Sequence, residues 1–579
     1  MIDLSKFKEQ MIAPRAVFEQ LAERSTRPRF MIQKPGSTDW HAITWGAHAA
    51  EISNVASFLL ACGMKRGDRA AVFAPNRVEW MSAALGIQAA GGVMVPIYPA
   101  STAAQAAYVA SHSDARFVFV DTAMLLRRIF EGWSSYGLVE RIVLLDDALD
   151  AAAVLAELRS QGKEAPSLAD VEARVVTWSR AVQIGAARAA EKPGEVDERM
   201  KSVSLEDNAI MLYTSGTTGN PKGVPLTHQN VAANGSDWLE VNASLLDEDA
   251  VDLLWLPMSH IFGLGQACLG NTLGFLTYLA EPHKVLDLLP VVRPRVFMSV
   301  PAYWEKLAQK AMEAPDRDAR RAKLAEVTGG KLRFCLSGGA GLKREVKELF
   351  YDCGLLIIEG YGLTECSPTL TMNRPNAFRF DSVGKPFPSV ELKLAEDGEI
   401  LAKGPGVFKG YHKEPDATRD VFTDDGWFKT GDVGRFTEDG FLQIIDRKKE
   451  ILVTAGGKNV PPQNIEIRFR DVPFIDHALV YGDGKKFLVL GVWLNHEALD
   501  ARIAERGLTG ARGETAKAWV AEAVAKVNEE LASFEQVKRF RIMDTPLTVA
   551  SGLLTSTLKM RRKKIYEAFR GEFESLYEP

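Results

Sequence analysis

Twelve consecutive residues, Tyr213-Thr-Ser-Gly-Thr-Thr-Gly-Asn-Pro-Lys-Gly-Val224, carry three glycines, four short hydroxyl side chains and one lysine. The hydroxyls belong to Thr214, Ser215, Thr217 and Thr218; Gly216 and Gly219 interrupt them, and Lys222 follows. Glycines let backbone N–H groups crowd around an anion. Hydroxyls donate to phosphate oxygens, and a lysine neutralises their charge. The combination suits a triphosphate cradle, although its spacing is not the G-x-x-x-x-G-K-[ST] of a P-loop. Such composition also occurs in plain solvated loops. Here the run follows the apolar Ala209-Ile210-Met211-Leu212, as a loop leaving a buried strand would.

Further along stand Ser337-Gly-Gly-Ala-Gly-Leu342, Tyr361-Gly-Leu-Thr-Glu365, Thr430-Gly-Asp432, Asp446-Arg447 and Leu553-Leu-Thr-Ser-Thr-Leu-Lys559. Together with the first run they resemble, in order, the motifs of the AMP-forming adenylate enzymes. That family includes acyl- and aryl-CoA synthetases, firefly-type luciferases and peptide-synthetase adenylation domains. The resemblance spans residues 213–559, most of the chain. It implies ATP and coenzyme A as co-substrates and Mg²⁺ as metal. Gly338, Gly339 and Ala340 would pack against adenine and Tyr361, followed by Gly362, would stack on it. Thr364 would meet the α-phosphate and Glu365 would hold Mg²⁺, a hard cation suited to a carboxylate. Asp432 would accept from both ribose hydroxyls, Arg447 would reach ribose or phosphate, and Lys449 would be a hinge.

The lysine motif is most like that of long-chain acyl-CoA synthetases, with Lys559 bridging substrate carboxylate and α-phosphate. Bringing two anions together calls for a cation at the reacting centre. The resemblance implies two half-reactions, adenylate formation and then thioester formation after the last domain swings about Lys449. In that second state Gly456 and Gly457 would lie beside the pantetheine arm; two glycines also make an ordinary turn. The cluster Lys559-Met-Arg-Arg-Lys-Lys564 reads either as a solvated helix start or as a phosphate patch for CoA. The solvated face is expected for Arg561 to Lys564.

For the acid substrate, Leu256-Pro-Met-Ser-His-Ile-Phe-Gly263 resembles the segment lining the family's acyl pocket, with His260 near the carboxylate. Ile261 to Ala280 holds twenty residues without charge, near the length of a membrane span. Its four glycines, Gln266 and Asn271 fit a buried pocket-lining helix better. A long alkyl chain needs only apolar surface, whereas a hydroxylated aromatic acid would want buried polar partners. A fatty acid is therefore the expected substrate. An aryl-CoA ligase, an acyl-AMP ligase loading a carrier protein, and a non-catalytic nucleotide-binding regulator are the alternatives.

These motifs need a scaffold. Up to about residue 440, short apolar runs such as Arg69–Ala74, Val93–Tyr98, Phe117–Val120, Arg141–Leu145, Val296–Val300 and Leu332–Leu336 alternate with helical patterns. That alternation predicts buried, largely parallel sheets covered by helices. Residues 146–200 read as exposed helices. From about Val383 shorter strands with glycine turns predict a β-rich subdomain. The expected class is α/β: a large N-terminal domain of stacked mixed and parallel sheets (1–445), a hinge (446–450), and a small mobile α+β lid (451–579).

The 579 residues are 46% hydrophobic and 25% charged, with a net charge of −5, which gives no sign of a nucleic-acid partner. Five scattered cysteines without a C-x-x-C pair read as reduced thiols in a cytoplasmic protein. The charged N-terminus lacks a signal-peptide core. A transmembrane segment is not expected, while peripheral association with a membrane surface is compatible with the composition.

Overall fold

The structure is a computed structural model that describes residues 2–7, 9–34, 36–214, 220–507, 512–555 and 559–578. Two large sheets dominate the described residues. The first runs, in spatial order, Val175–Thr177, Arg141–Leu144, Ala115–Val120, Arg69–Phe73, Val93–Ile97, Asn208–Thr214 and Lys222–Thr227. Its strands are parallel except the last, which pairs antiparallel with Asn208–Thr214. Alternation along each strand divides the core. Ala70, Val72, Phe117 and Phe119 enter one hydrophobic cluster, whereas Ala71, Phe73, Val118 and Val120 enter another. Side chains of period two point to opposite faces, so apolar runs without a polar face mean helices on both sides.

The second sheet is built around parallel strands Ile357–Gly362, Phe334–Ser337, Val296–Ser299, Val251–Leu254, Leu276–Leu279 and Pro28–Gln33, with antiparallel strands at both edges. Glu391–Leu394, Glu399–Lys403, Phe428–Phe436 and Leu442–Arg447 form the antiparallel subdomain. The C-terminal part has a mixed sheet of Ile475–Tyr481, Leu488–Leu494 and Val537–Ile542 with its own hydrophobic clusters. The α/β class, the stacked sheets and the β-rich subdomain are as the sequence predicts.

Three expectations need correction. The uncharged segment is a helix only over Ile261–Leu273; Gly274 ends it in left-handed conformation and Leu276–Leu279 is a strand of the second sheet. Its polar residues have structural partners. Gln266 donates to the buried Asp252 carboxylate (3.0 Å), and the Asn271 carboxamide accepts from the fully buried Arg29 (2.9 Å). Burial pushes Asp252 up to about 6 and Arg29 down to about 10.

Residues 146–200 are not simply exposed helices. Val175–Thr177 joins the first sheet, and Trp178–Glu191 packs against the Trp45–Ala61 helix. A Cβ at Gly185 would lie 1.8 Å from the Asn54 carbonyl oxygen, so this close approach requires glycine. Arg562, expected on a solvated face, is buried and donates twice to Glu466 (2.6 and 2.8 Å). Among the described residues no helix is long and apolar enough to cross a membrane.

Candidate active site

Ligands of open α/β sheets bind outside the carboxyl ends of the parallel strands. A cleft of about 1840 Å³ lies there, lined by Thr214, Lys222, His260, Gly338, Tyr361, Asp432 and Lys559 among others. Thr214 and Lys222 are directly paired across the Asn208–Thr214/Lys222–Thr227 hairpin, so the residues on either side of the glycine- and hydroxyl-rich run are held together. Ser215, Gly216, Thr217, Thr218 and Gly219 lie outside the described residues. The Lys222 ammonium sits 4.8 Å over the Tyr411 ring, and the Tyr411 hydroxyl donates to Glu365 (2.9 Å). Burial raises the Glu365 carboxyl above its ordinary range.

The glycine turn begins where the Phe334–Ser337 strand ends. Its far side is tied down by Glu359, which accepts from the Leu342 N–H (2.8 Å) and from buried Lys347 (2.6 Å). A side chain at Gly338 would press on Phe262, with Cβ 3.1 Å from the ring. Gly339, Ala340, Gly362 and Thr364 also line the cleft.

Asp432 leaves the Phe428–Phe436 strand opposite Arg447. One of its oxygens accepts from the Tyr361 hydroxyl (2.6 Å); the other lies 3.3 Å from the Arg447 guanidinium. Burial raises its carboxyl. The strand carrying Arg447 ends there, and Lys448–Glu450 form a turn: Lys448 N–H donates to Gly431 and Glu450 N–H to Arg447. Lys448 also pairs with Asp397 and Glu399 (2.5 and 2.8 Å), while Lys449 is exposed and lines the cleft.

His260 caps the Ile261–Leu273 helix: its Nδ1 accepts from the Phe262 N–H (3.1 Å). The proton of the neutral ring therefore sits on Nε2, which is free to donate. Burial, with a smaller effect of the Lys559 charge, pulls His260 down to about 4. Lys559 lies across the cleft on the C-terminal part. Its main-chain N–H donates to the Thr555 hydroxyl (3.0 Å), and its ammonium donates to the Gly339 carbonyl (3.3 Å). Though much of the residue is exposed, desolvation at the head and then the nearby Arg447 lower the ammonium. Lys343 forms an ion pair with Asp471, a second tie between the two parts.

The cleft continues past His260 along the Ile261–Leu273 helix, beside Tyr98, Leu264, Leu269 and Met298. Gly456 and Gly457 are not part of it; they form an exposed turn between Leu452–Val453 and Asn459–Val460. Tyr411, Glu359 and Lys343 escaped the sequence reading. Lys343 and Glu359 border glycine-bearing motifs and Tyr411 follows Gly410, but no spacing marks their side chains, and only the fold brings them to the site.

The model of the AMP-binding enzyme family matches residues 18–412, and that of the AMP-binding enzyme C-terminal domain matches 449–579. The chain belongs to the AMP-binding enzymes. It is 32% identical to the long-chain-fatty-acid–CoA ligase FadD15 of Mycobacterium tuberculosis, over 93% of this chain and 92% of that one. It is 31% identical to long-chain-fatty-acid–CoA ligase 6 of Rattus norvegicus, over 87% and 78%. In fold it is similar to the adenylation domain of a carboxylate reductase from Mycobacterium chelonae (TM-score 0.80, 20% identity, 99% and 92% covered). Thr214, Lys222, His260, Gly338, Tyr361, Asp432, Arg447 and Lys559 thus line one cleft, whereas Gly456 and Gly457 stand outside it.

Proposed function

We propose that this AMP-binding enzyme is an ATP-dependent long-chain fatty acid–CoA ligase working through an acyl-adenylate. One observation carries the reading. A single cleft joins the Asp432–Tyr361 side to an apolar arm, and His260 and Lys559 stand where the two meet. The named ligase relatives support it.

In the first half-reaction a carboxylate oxygen attacks the α-phosphorus of ATP. A P–O bond forms, the bond to the bridging oxygen breaks, and pyrophosphate leaves with that electron pair. Lys559 neutralises the two approaching anions, and His260 Nε2–H donates to the carboxylate. Thr214 and Lys222 hold the departing phosphates, with Ser215 to Gly219 between them; Thr364 meets the α-phosphate. Asp432 accepts from the ribose hydroxyls, while Tyr361, Gly362 and the Gly338–Ala340 turn bound the adenine. Arg447 serves the ribose or phosphate.

Glu365 fits Mg²⁺. Its carboxyl is raised by burial with one oxygen bound to Tyr411, and phosphate oxygens would complete a site of the kind this ion takes. Bound there, the ion would screen the triphosphate charge.

In the second half-reaction the CoA thiol loses its proton to solvent and attacks the acyl carbonyl, and AMP leaves. The chain divides at a hinge, 446–450, between residues 1–445 and the lid 451–579. Rotation about Lys449 withdraws Lys559 and brings Gly456 and Gly457 toward the pantetheine arm. The setting is cytoplasmic, where the five free thiols stay reduced.

Incubation with Mg·ATP, CoA and acids from acetate to stearate plus a hydroxycinnamate, read by mass spectrometry, tests the reading. Acyl-CoA peaking at long alkyl chains supports it. A hydroxycinnamoyl product makes it an aryl-CoA ligase, and pyrophosphate release without any thioester makes it a carrier-loading acyl-AMP ligase.

A further inference from the structure

Two helices that line the cleft each carry a glycine in mid-helix. On His228–Asn242 the lining residues Val231, Gly235 and Leu239 recur at intervals of four; on Ile261–Leu273 Ile261, Gly265 and Leu269 do the same. Each helix thus turns one face to the cavity. A Cβ built on Gly235 or Gly265 meets no atom within 4 Å. Both residues are exposed although Asn234, Leu264 and Gln266 beside them are buried.

Their neighbours on the second helix are different. A Cβ at Gly263 would lie 2.4 Å from the Pro257 carbonyl oxygen, and one at Gly270 would lie 2.9 Å from the Arg29 guanidinium. Packing explains those two glycines. It does not explain Gly235 and Gly265, because glycine inside a helix is destabilising relative to alanine and alanine would fit.

We propose that Gly235 and Gly265 set the bore of the acyl pocket: their missing side chains are the space through which the alkyl chain passes. The inference rests on the fatty-acid reading above and adds the residues that govern chain length. Geometry gives the scale. From His260 to Thr272, both lining the cleft, the helix rises about 18 Å. An extended chain advances about 1.2 Å per bond, judging from the three-bond repeat of the polypeptide. The helix therefore accompanies about fifteen bonds of an acyl chain. Gly265 stands about 7.5 Å along it, beside the sixth or so. A side chain there leaves room for a short acid and blocks a long one.

The test is ATP–pyrophosphate exchange with acids from hexanoate to octadecanoate, on wild type, Gly265→Ala, Gly265→Leu and Gly235→Leu. AMP binding and melting temperature are measured on each. The leucine variants should bind AMP and lose hexadecanoate relative to hexanoate by about 100-fold or more, the scale on which pocket fit discriminates. Gly265→Ala should melt higher than wild type while its preference shifts toward shorter acids. A structural role would give the opposite sign of melting shift with no change of preference.

Leucine variants that bind AMP and keep the wild-type profile would overturn the proposal. Should leucine prevent folding, the alanine variant decides: an unchanged profile overturns the proposal, a shortened one supports it. A wild-type enzyme that ignores long alkyl acids instead removes the fatty-acid reading, and this inference falls with it.

Discussion

The Lys559 ammonium donates to the main-chain carbonyl of Gly339, 3.3 Å away and 220 positions earlier in the chain. A cation from the C-terminal part thus rests on the glycine turn of the N-terminal part. His260 feels the same charge, which adds to the effect of burial in pulling it down to about 4.

That proximity gives a pH test. The unfolded imidazole takes its proton near 6.5 and the folded one near 4. Between those values the unfolded state binds more protons. The contribution of His260 to stability is therefore complete above pH 6.5 and is lost as pH falls toward 4. In histidine-labelled enzyme, ¹⁵N NMR should show a neutral Nε2–H tautomer throughout pH 5.5–8. In Lys559→Ala the His260 pKa should rise. An unmoved value would mean that the lysine does not visit the pocket in solution.

Asp432→Ala should weaken AMP and ATP binding about 10- to 100-fold, the worth of hydrogen bonds to a charged acceptor. Tyr361→Phe, which removes only the 2.6 Å bond to Asp432, should cost less. Calorimetric titration with AMP checks both, and an unchanged affinity in Asp432→Ala would put the ribose elsewhere.

Glu365→Gln should lower adenylate formation about 10²- to 10³-fold, the scale of losing one preorganised electrostatic contact. Raising the Mg²⁺ concentration should recover part of it. Chelation of divalent cations should stop adenylation in wild type while AMP still binds. Pyrophosphate release that persists in the chelator would exclude the metal role assigned to Glu365.

The Arg562–Glu466 pair tests the packing of the C-terminal part. Both side chains are 9% exposed. Glu466→Ala leaves a buried guanidinium with the neutral Tyr566 hydroxyl at 3.2 Å and Glu450 at 3.5 Å, and should destabilise this part by about 3–5 kcal/mol. Urea denaturation followed by tryptophan fluorescence measures it. A loss under about 1 kcal/mol would show that water reaches the pair.

Much of this was legible in the sequence for a physical reason. Thr214 and Lys222 stand out in the sequence because they bracket a dense run of glycines and hydroxyls, and the structure pairs them across a hairpin. Buried parallel strands, such as Ala70–Phe73, read as unbroken apolar runs because both faces are covered. Failures came where tertiary contacts decided the matter. An uncharged segment gives no sign that Gly274 turns a helix into a strand. Arg562 looks solvated until Glu466, 96 positions away, is placed beside it. Tyr411 reaches Glu365 across 46 positions, a pairing that no spacing rule supplies.

The central claim is that one chain performs two half-reactions and that Lys559 serves only the first. The measurement is a comparison of wild type with Lys559→Ala in each: pyrophosphate release from Mg·ATP and hexadecanoate, and acyl-CoA formation from CoA and synthetic hexadecanoyl-AMP. The account predicts a loss of about 10²- to 10³-fold in the first with the second largely intact. Equal loss of both half-reactions, or an unimpaired first one, would contradict it.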